Sequence, residues 1–269
     1  MSGRGAAIVT GGAHGLGAEI ARLLALRGHR VVVADVDLAG AEATARAIGA
    51  GATAAQLDVA DLAQCRWLAA ATDDLEVWVN NAGLLATGPS WETGEAVRRR
   101  LFDVNVHGTI NGTTAALERF RPAGRGAVVN IVSVAGLVPA PHETIYGATK
   151  HAALAFSIGT QLDLLIRKEK DIRISALCPD GMWTPMLHAH ARDPDAWPSW
   201  SGVMVAPAKV AAAAVDLLDH PHMVRSIPRH RGALLRLMAA APALAAPALP
   251  AVVALAKRRQ RRFADKAGL

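Results

Sequence analysis

Short apolar runs rich in branched side chains alternate along this chain with longer alanine-rich or amphipathic stretches. Most runs are apolar at consecutive positions, the pattern of a strand buried on both faces. The runs predict strands at 6–10, 31–35, 54–57, 77–80, 127–132 and 172–177. The stretches between them predict helices at 15–27, 38–48, 60–72, 94–119, 145–168 and 208–219. Strand and helix in strict alternation mean βαβ crossovers, hence a doubly wound parallel α/β sheet of the Rossmann type in a single domain. Residues 185–207 break the rhythm with Pro194, Pro198, Pro207, Trp197 and Trp200. They read as a long loop or short helices, and loops of that length often cover a site. A last strand is expected within 222–227.

Composition changes this picture at one end only. The 269 residues carry a net charge of +6, but residues 225–269 hold ten Lys and Arg against one acid, Asp265. The rest is mildly acidic, which argues against a nucleic-acid partner. We therefore divide the chain into a catalytic body at 1–232 and a C-terminal extension at 233–269. Residues 237–256 of the extension contain no charge. Pro242, Pro247 and Pro250 interrupt them, so a spanning helix is not expected. Two readings stay open: peripheral contact of 233–262 with an anionic membrane, or packing on a partner subunit. The two cysteines, Cys65 and Cys178, make no disulfide framework, so a reducing, cytoplasmic setting is expected. The start, Met1-Ser2-Gly3-Arg4, does not read as a leader.

Candidate chemistry gathers at the carboxyl ends of the predicted strands. The first strand runs into Thr10-Gly11-Gly12-Ala13-His14-Gly15-Leu16-Gly17. Glycines there permit a tight turn and a close approach of backbone to a pyrophosphate, with a helix N-terminus behind it. Asp35 ends the second strand, where its carboxylate can accept hydrogen bonds from ribose hydroxyls and would repel a 2′-phosphate. No arginine follows it, so NAD is favoured over NADP; Asp37 is the better cap for the next helix. Tyr146 and Lys150 lie four apart and share one face of a helix. A free phenol titrates near ~10, and a neighbouring ammonium is expected to lower that value toward neutrality. Ser133 ends one strand, and Asn80-Asn81-Ala82-Gly83 ends another.

Taken together, these motifs resemble the short-chain dehydrogenase/reductase family, over roughly residues 5–220. The resemblance rests on Thr-Gly-x-x-x-Gly-x-Gly at 10–17, Asp58-Val59, Asn-Asn-Ala-Gly at 80–83, Asn105, Ser133 and Tyr-x-x-x-Lys at 146–150. It implies an enzyme in which Tyr146 exchanges the proton of a secondary alcohol or ketone. It implies that Lys150 lowers the phenol's pKa and binds the nicotinamide ribose, that Ser133 orients the substrate oxygen, and that Asn105 holds a relay water. It places Gly11, His14, Gly15, Leu16 and Gly17 on the cofactor, with Asp58 and Val59 at the adenine. Asn81, Ala82, Gly83, Pro179, Met182 and Thr184 would line the rest of it. Asp180 departs from the pattern, standing where the family has glycine. Substrate contacts are expected from Ser133, Val134, His142, Tyr146, Trp183 and Met186, with Leu84, Leu85 and residues 139–143 nearby. These are mostly apolar, and no arginine cluster joins them, so the expected substrate is a lipophilic alcohol or ketone. Trp183, Trp197 and Trp200 are expected as a lid. The family's usual assembly is a homo-oligomer packed through the two long helices. The open alternatives are an NADP-dependent lipid ketone reductase, a non-catalytic nucleotide-binding protein, and an isomerase or lyase that uses bound NAD transiently.

Overall fold

Val9, Val33, Val79 and Val129 are fully buried and lie side by side on four neighbouring strands. A row of branched side chains across parallel strands must be covered from both sides, and here it is. The computed structural model describes residues 4–49 and 51–267. The Met1-Ser2-Gly3 stretch read above lies outside them, as do the last two residues of the extension.

Seven strands pair in parallel: β1 (Ala6–Thr10), β2 (Arg30–Asp35), β3 (Thr53–Gln56), β4 (Leu75–Asn80), β5 (Gly126–Ile131), β6 (Ile172–Pro179) and β7 (Val224–Ile227). Their order is β3-β2-β1-β4-β5-β6-β7. The chain winds outward from β1 in one direction, then returns to β4 on its other side. That reversal opens a crevice at the carboxyl ends of β1 and β4, the usual ligand position in such sheets.

Two cores follow from the two faces. On one, Leu16, Ile20 and Leu24 of α1 (Gly15–Leu26) and Ala41 of α2 (Leu38–Ile48) meet Val9 and Val33. On the other, Leu68 of α3 (Leu62–Ala71), Phe120 and Leu164 close over Trp78 and Ile174. The helix predicted at 94–119 is three pieces: α4 (Glu95–Phe102), a π-helical turn (Asp103–His107) and α5 (Gly108–Ala123). The widened turn has a local cause. Asn105 turns its amide toward the backbone of Leu84, and Gly108 lets Val59 pack where a Cβ would stand 2.6 Å from it. π turns of this kind often sit at functional sites. The helix α6 (Thr144–Ile166) carries the Tyr-x-x-x-Lys pair.

The segment between β6 and β7 holds α7 (Pro185–His188), a 3₁₀ turn (Trp197–Trp200) and α8 (Pro207–Asp216). Beyond β7 come α9 (Arg229–Ala240), α10 (Pro242–Ala245) and α11 (Leu249–Ala267). The predicted boundary at 232/233 falls inside α9. The extension packs on its own chain. Ala256 and Gln260 of α11 are buried, and the Gln260 amide donates to the carbonyls of Ala191 at 3.2 Å and Asp193 at 2.5 Å. Trp183 stacks on Phe263 with ring centroids 3.5 Å apart. Among the described residues no single helix is long and apolar enough to cross a membrane.

Candidate active site

The glycine loop is shaped by what cannot be there. Gly11 and Gly15 have φ of +62° and +57°, the left-handed region that glycine enters without penalty. A Cβ on Gly17 would stand 2.1 Å from the Gly11 carbonyl oxygen. His14 precedes α1 without a side-chain cap, which leaves first-turn N–H groups facing the crevice. The Asn81 amide donates to the carbonyls of Thr10 and Gly11, each at 3.0 Å, and so braces the loop from β4. Asp35 is fixed at the lip, accepting from the Ala13 and Asp37 N–H groups at 3.0 Å each. Asp37 caps α2 by accepting from the Gly40 N–H.

The crevice is a cavity of about 300 Å³. Gly11, His14, Gly15 and Leu16 form its floor, and Asp35 its rim. Asp58 and Val59 wall one end; Asn81, Ala82 and Gly83 wall the side. Met182 and Thr184 face them, and Tyr146 and Lys150 close the far end. Two expected residues are elsewhere. Gly17 lies behind the loop, where its role is the close packing just described, and Pro179 faces the neighbouring cavity. Among the side chains not foreseen is a charged one: Arg100 lines the crevice, 3.3 Å from the Asp58 carboxylate. Nothing in the local sequence marks it, because α4 swings it in from 42 residues away. The glycine-lined floor, the open helix end and the braced carboxylate together fit a nicotinamide dinucleotide.

Tyr146 and Lys150 follow one turn apart at the start of α6, with the Lys150 Nζ 5.7 Å from the centre of the phenol ring. Lys150 is 5% exposed and donates to the Ile131 carbonyl at 3.2 Å. Asn105 is fully buried in the π turn. Its amide accepts from the Leu84 N–H at 2.7 Å and donates to the Leu84 carbonyl and to the Thr149 hydroxyl. Ser133 follows β5, and its hydroxyl accepts from the Ala135 N–H at 3.1 Å.

The electrostatics differ from the expectation. Burial pushes the Tyr146 phenol above its ordinary value, with the Ser133 hydroxyl pulling the other way and the Glu143 carboxyl adding to the rise. Burial brings Lys150 down to about 8. Both groups are cut off from water, and desolvation disfavours the charged form of each. The phenol therefore keeps its proton through neutrality, while the lysine stands close to releasing one.

A second cavity, of about 280 Å³, lies under the extension. Ser133, Val134, Tyr146 and Met186 line it, as the sequence reading has them. His142 and Trp183 do not. His142 turns away to a hydrogen bond with the Asp195 carboxylate at 2.8 Å, and Trp183 is spent on His188 and Phe263. Of the expected lid, only Trp197 faces the cavity; Trp200 is buried among Leu187, Ala191 and Ala196. The outer wall is instead Leu235, Met238, Leu249, Val252 and Leu255 of the extension. One arginine is present after all. Arg231 reaches the wall from α9 and pairs with the buried Asp180 at 3.2 Å. The signal was Asp180 itself, since a buried acid in place of a glycine calls for a cation. Its carboxylate also accepts from the Gly181 and Val203 N–H groups, which answers how this turn is held. The two cavities share Val132, Tyr146, Met182, Thr184 and Met186, so the phenol stands at their junction.

Known proteins show the same arrangement of sequence. Residues 5–195 match the family described as short chain dehydrogenase. A galactitol 2-dehydrogenase from Agrobacterium fabrum is 32% identical over 77% of this chain and 80% of its own. A cyclopentanol dehydrogenase from Comamonas sp. is 35% identical over 66% of this chain and 73% of its own. A 3-alpha-(or 20-beta)-hydroxysteroid dehydrogenase from Mycobacterium tuberculosis is 35% identical over 69% of this chain and 73% of its own. Among solved structures, levodione reductase superposes with a TM-score of 0.76 at 26% identity, covering 85% of this chain and 97% of that one. A 3-ketoacyl-(acyl-carrier-protein) reductase from Brucella melitensis, solved with NADH, gives 0.73 at 27% identity over 82% and 95%.

Proposed function

The chain belongs to the short-chain dehydrogenase family, and on that premise we propose that it interconverts a lipophilic secondary alcohol and its ketone with NAD(H). It is an oxidoreductase acting on CH–OH groups, and the family uses NAD(H) or NADP(H). The observation that carries the finer reading is the junction of the two cavities at Tyr146. One cavity has the floor for a dinucleotide; the other is walled mostly by apolar side chains. A bound nicotinamide supplies the hydride acceptor or donor.

The residues of the chain do the rest. Tyr146, protonated at neutral pH, gives its proton to a carbonyl oxygen in reduction; in oxidation it must first lose that proton, and the phenolate then takes the carbinol proton. Ser133 holds that oxygen beside the phenol. Lys150, near its own titration point, is the adjoining proton reservoir and the ribose anchor. Asn105 braces the Leu84 backbone and the Thr149 hydroxyl, which keeps the start of α6 and the β4 loop in register. Asp35 supports NAD over NADP: its fixed carboxylate stands at the rim where a 2′-phosphate would add like charge.

Three further parts of the reading concern setting. Two free, buried cysteines suit the cytoplasm. Val97 and Phe102 on α4 and Leu162, Leu165 and Ile166 on α6 are exposed, which supports a homo-oligomer packed through those helices. Leu237 and Leu244 stand 70% and 83% exposed, between Arg236 and the basic run 257–262. That arrangement supports peripheral contact with an anionic membrane. The catalytic reading is tested by Tyr146→Phe. Turnover of a panel of cyclic and steroid alcohols with NAD should vanish while NADH binding stays within about twofold; retained turnover refutes the assignment.

A further inference from the structure

One polar group in the substrate cavity has no part in the proton exchange. Glu143 occupies the N-cap position of α6, yet its side chain makes no cap bond. It lines the cavity instead, 4% exposed. Its Oε1 accepts from the Ser199 hydroxyl at 2.6 Å, and Ser199 lies on the 3₁₀ turn that α11 holds down. Among the described residues no cation answers it. Arg231, on the same wall, is taken up by Asp180, and Asp193 adds negative charge nearby.

An ionised carboxylate in that position is penalised by several kcal/mol for lack of a partner. Burial accordingly raises Glu143 to about 7. The protonated form has an O–H to donate and retains an acceptor. Glu143 stands at the N-cap of α6, and Tyr146 follows three residues later in the first turn. Both line the same largely apolar cavity. A ligand whose carbinol meets the phenol can therefore present a second oxygen to the carboxyl.

Building on the alcohol–ketone reading above, we propose that Glu143, backed by Ser199, is a second polar anchor. It selects substrates with a further uncharged oxygen beside the reacting one, such as cyclic diols and hydroxyketones. It disfavours carboxylates and phosphates.

The test compares cyclohexanol with trans-cyclohexane-1,4-diol as probes, using the full chain and NAD. The wild-type kcat/KM should favour the diol at least about fivefold, after allowing for its two equivalent hydroxyls. In Glu143→Leu that ratio should fall to about one; in Glu143→Gln, which keeps a donor and an acceptor, it should largely return. A merely structural role moves both alcohols together and leaves the ratio unchanged, which would overturn the proposal. Should the leucine variant fail to fold, Ser199→Ala serves: the ratio falls if the anchor is real and holds if it is not. Quenching of Trp197 on the cavity wall reads binding without turnover, in the presence of NADH. Tighter binding of the diol with no oxidation of either alcohol leaves the anchor standing and removes the dehydrogenase reading. Equal binding with normal oxidation of both does the reverse.

Discussion

Lys150→Met should make the protein without cofactor more stable at neutral pH while destroying its activity. Lys150 is 5% exposed, and burial brings its pKa from 10.5 to about 8. At ~1.4 kcal/mol per pK unit, holding that proton in the folded state at pH 7 is unfavourable by ~3 kcal/mol. Methionine has a similar length and no charge. The substitution orphans the Ile131 carbonyl, which Lys150 donates to at 3.2 Å, at about 1 kcal/mol. The net gain is ~2 kcal/mol, or about 5 °C in Tm for a chain of this size. The pH dependence has a definite sign. The folded pKa lies below the unfolded one, so between pH 8 and 10.5 the unfolded chain binds more protons and wild-type stability rises with pH. The advantage of the methionine variant should be full below pH 8 and close toward pH 10.5. Urea or thermal unfolding of both proteins across pH 6–10, followed by circular dichroism, measures it. A variant less stable than wild type at pH 7 would refute the buried-charge argument.

Asp35→Ala should narrow the kcat/KM ratio of NAD to NADP by at least about tenfold, since it removes one like charge from the rim; an NADP preference already present in the wild type sinks the NAD assignment. Leu237→Glu with Leu244→Glu should abolish co-flotation of the full chain with phosphatidylserine-containing vesicles and leave Tm within about 2 °C, because both side chains are exposed. No flotation by the wild type removes the membrane contact. Gln260→Leu should lower Tm and raise KM for bulky alcohols, since its amide pins α11 to the carbonyls beneath it; unchanged values would mean that the extension is held by its apolar contacts alone.

Local chemistry made much of the site readable in advance. A glycine at φ +62° before a helix, a carboxylate ending a strand and an i, i+4 Tyr–Lys pair each carry their physical reason within a few residues. Alternating apolar runs likewise determined the strands, because a parallel sheet covered on both faces favours apolar side chains there. Charge patterning marked off the extension as distinct, though not what it does. His222–Ile227 was a weak run, yet its end became β7, since Arg225 and Ser226 are tolerable on an edge strand.

What the chain could not show by itself are relations between distant segments. The extension closes the substrate cavity through α9 and α11, contacts made across about 90 to 120 residues from Ser133 and Tyr146. Trp183 is drawn from the cavity to Phe263 by that docking, and Arg231 is drawn in to neutralise Asp180. The sign of the Tyr146 shift was decided in the same way. Pair spacing on a helix sets an attraction, but only the packing around it sets the desolvation, and here desolvation is the larger of the two.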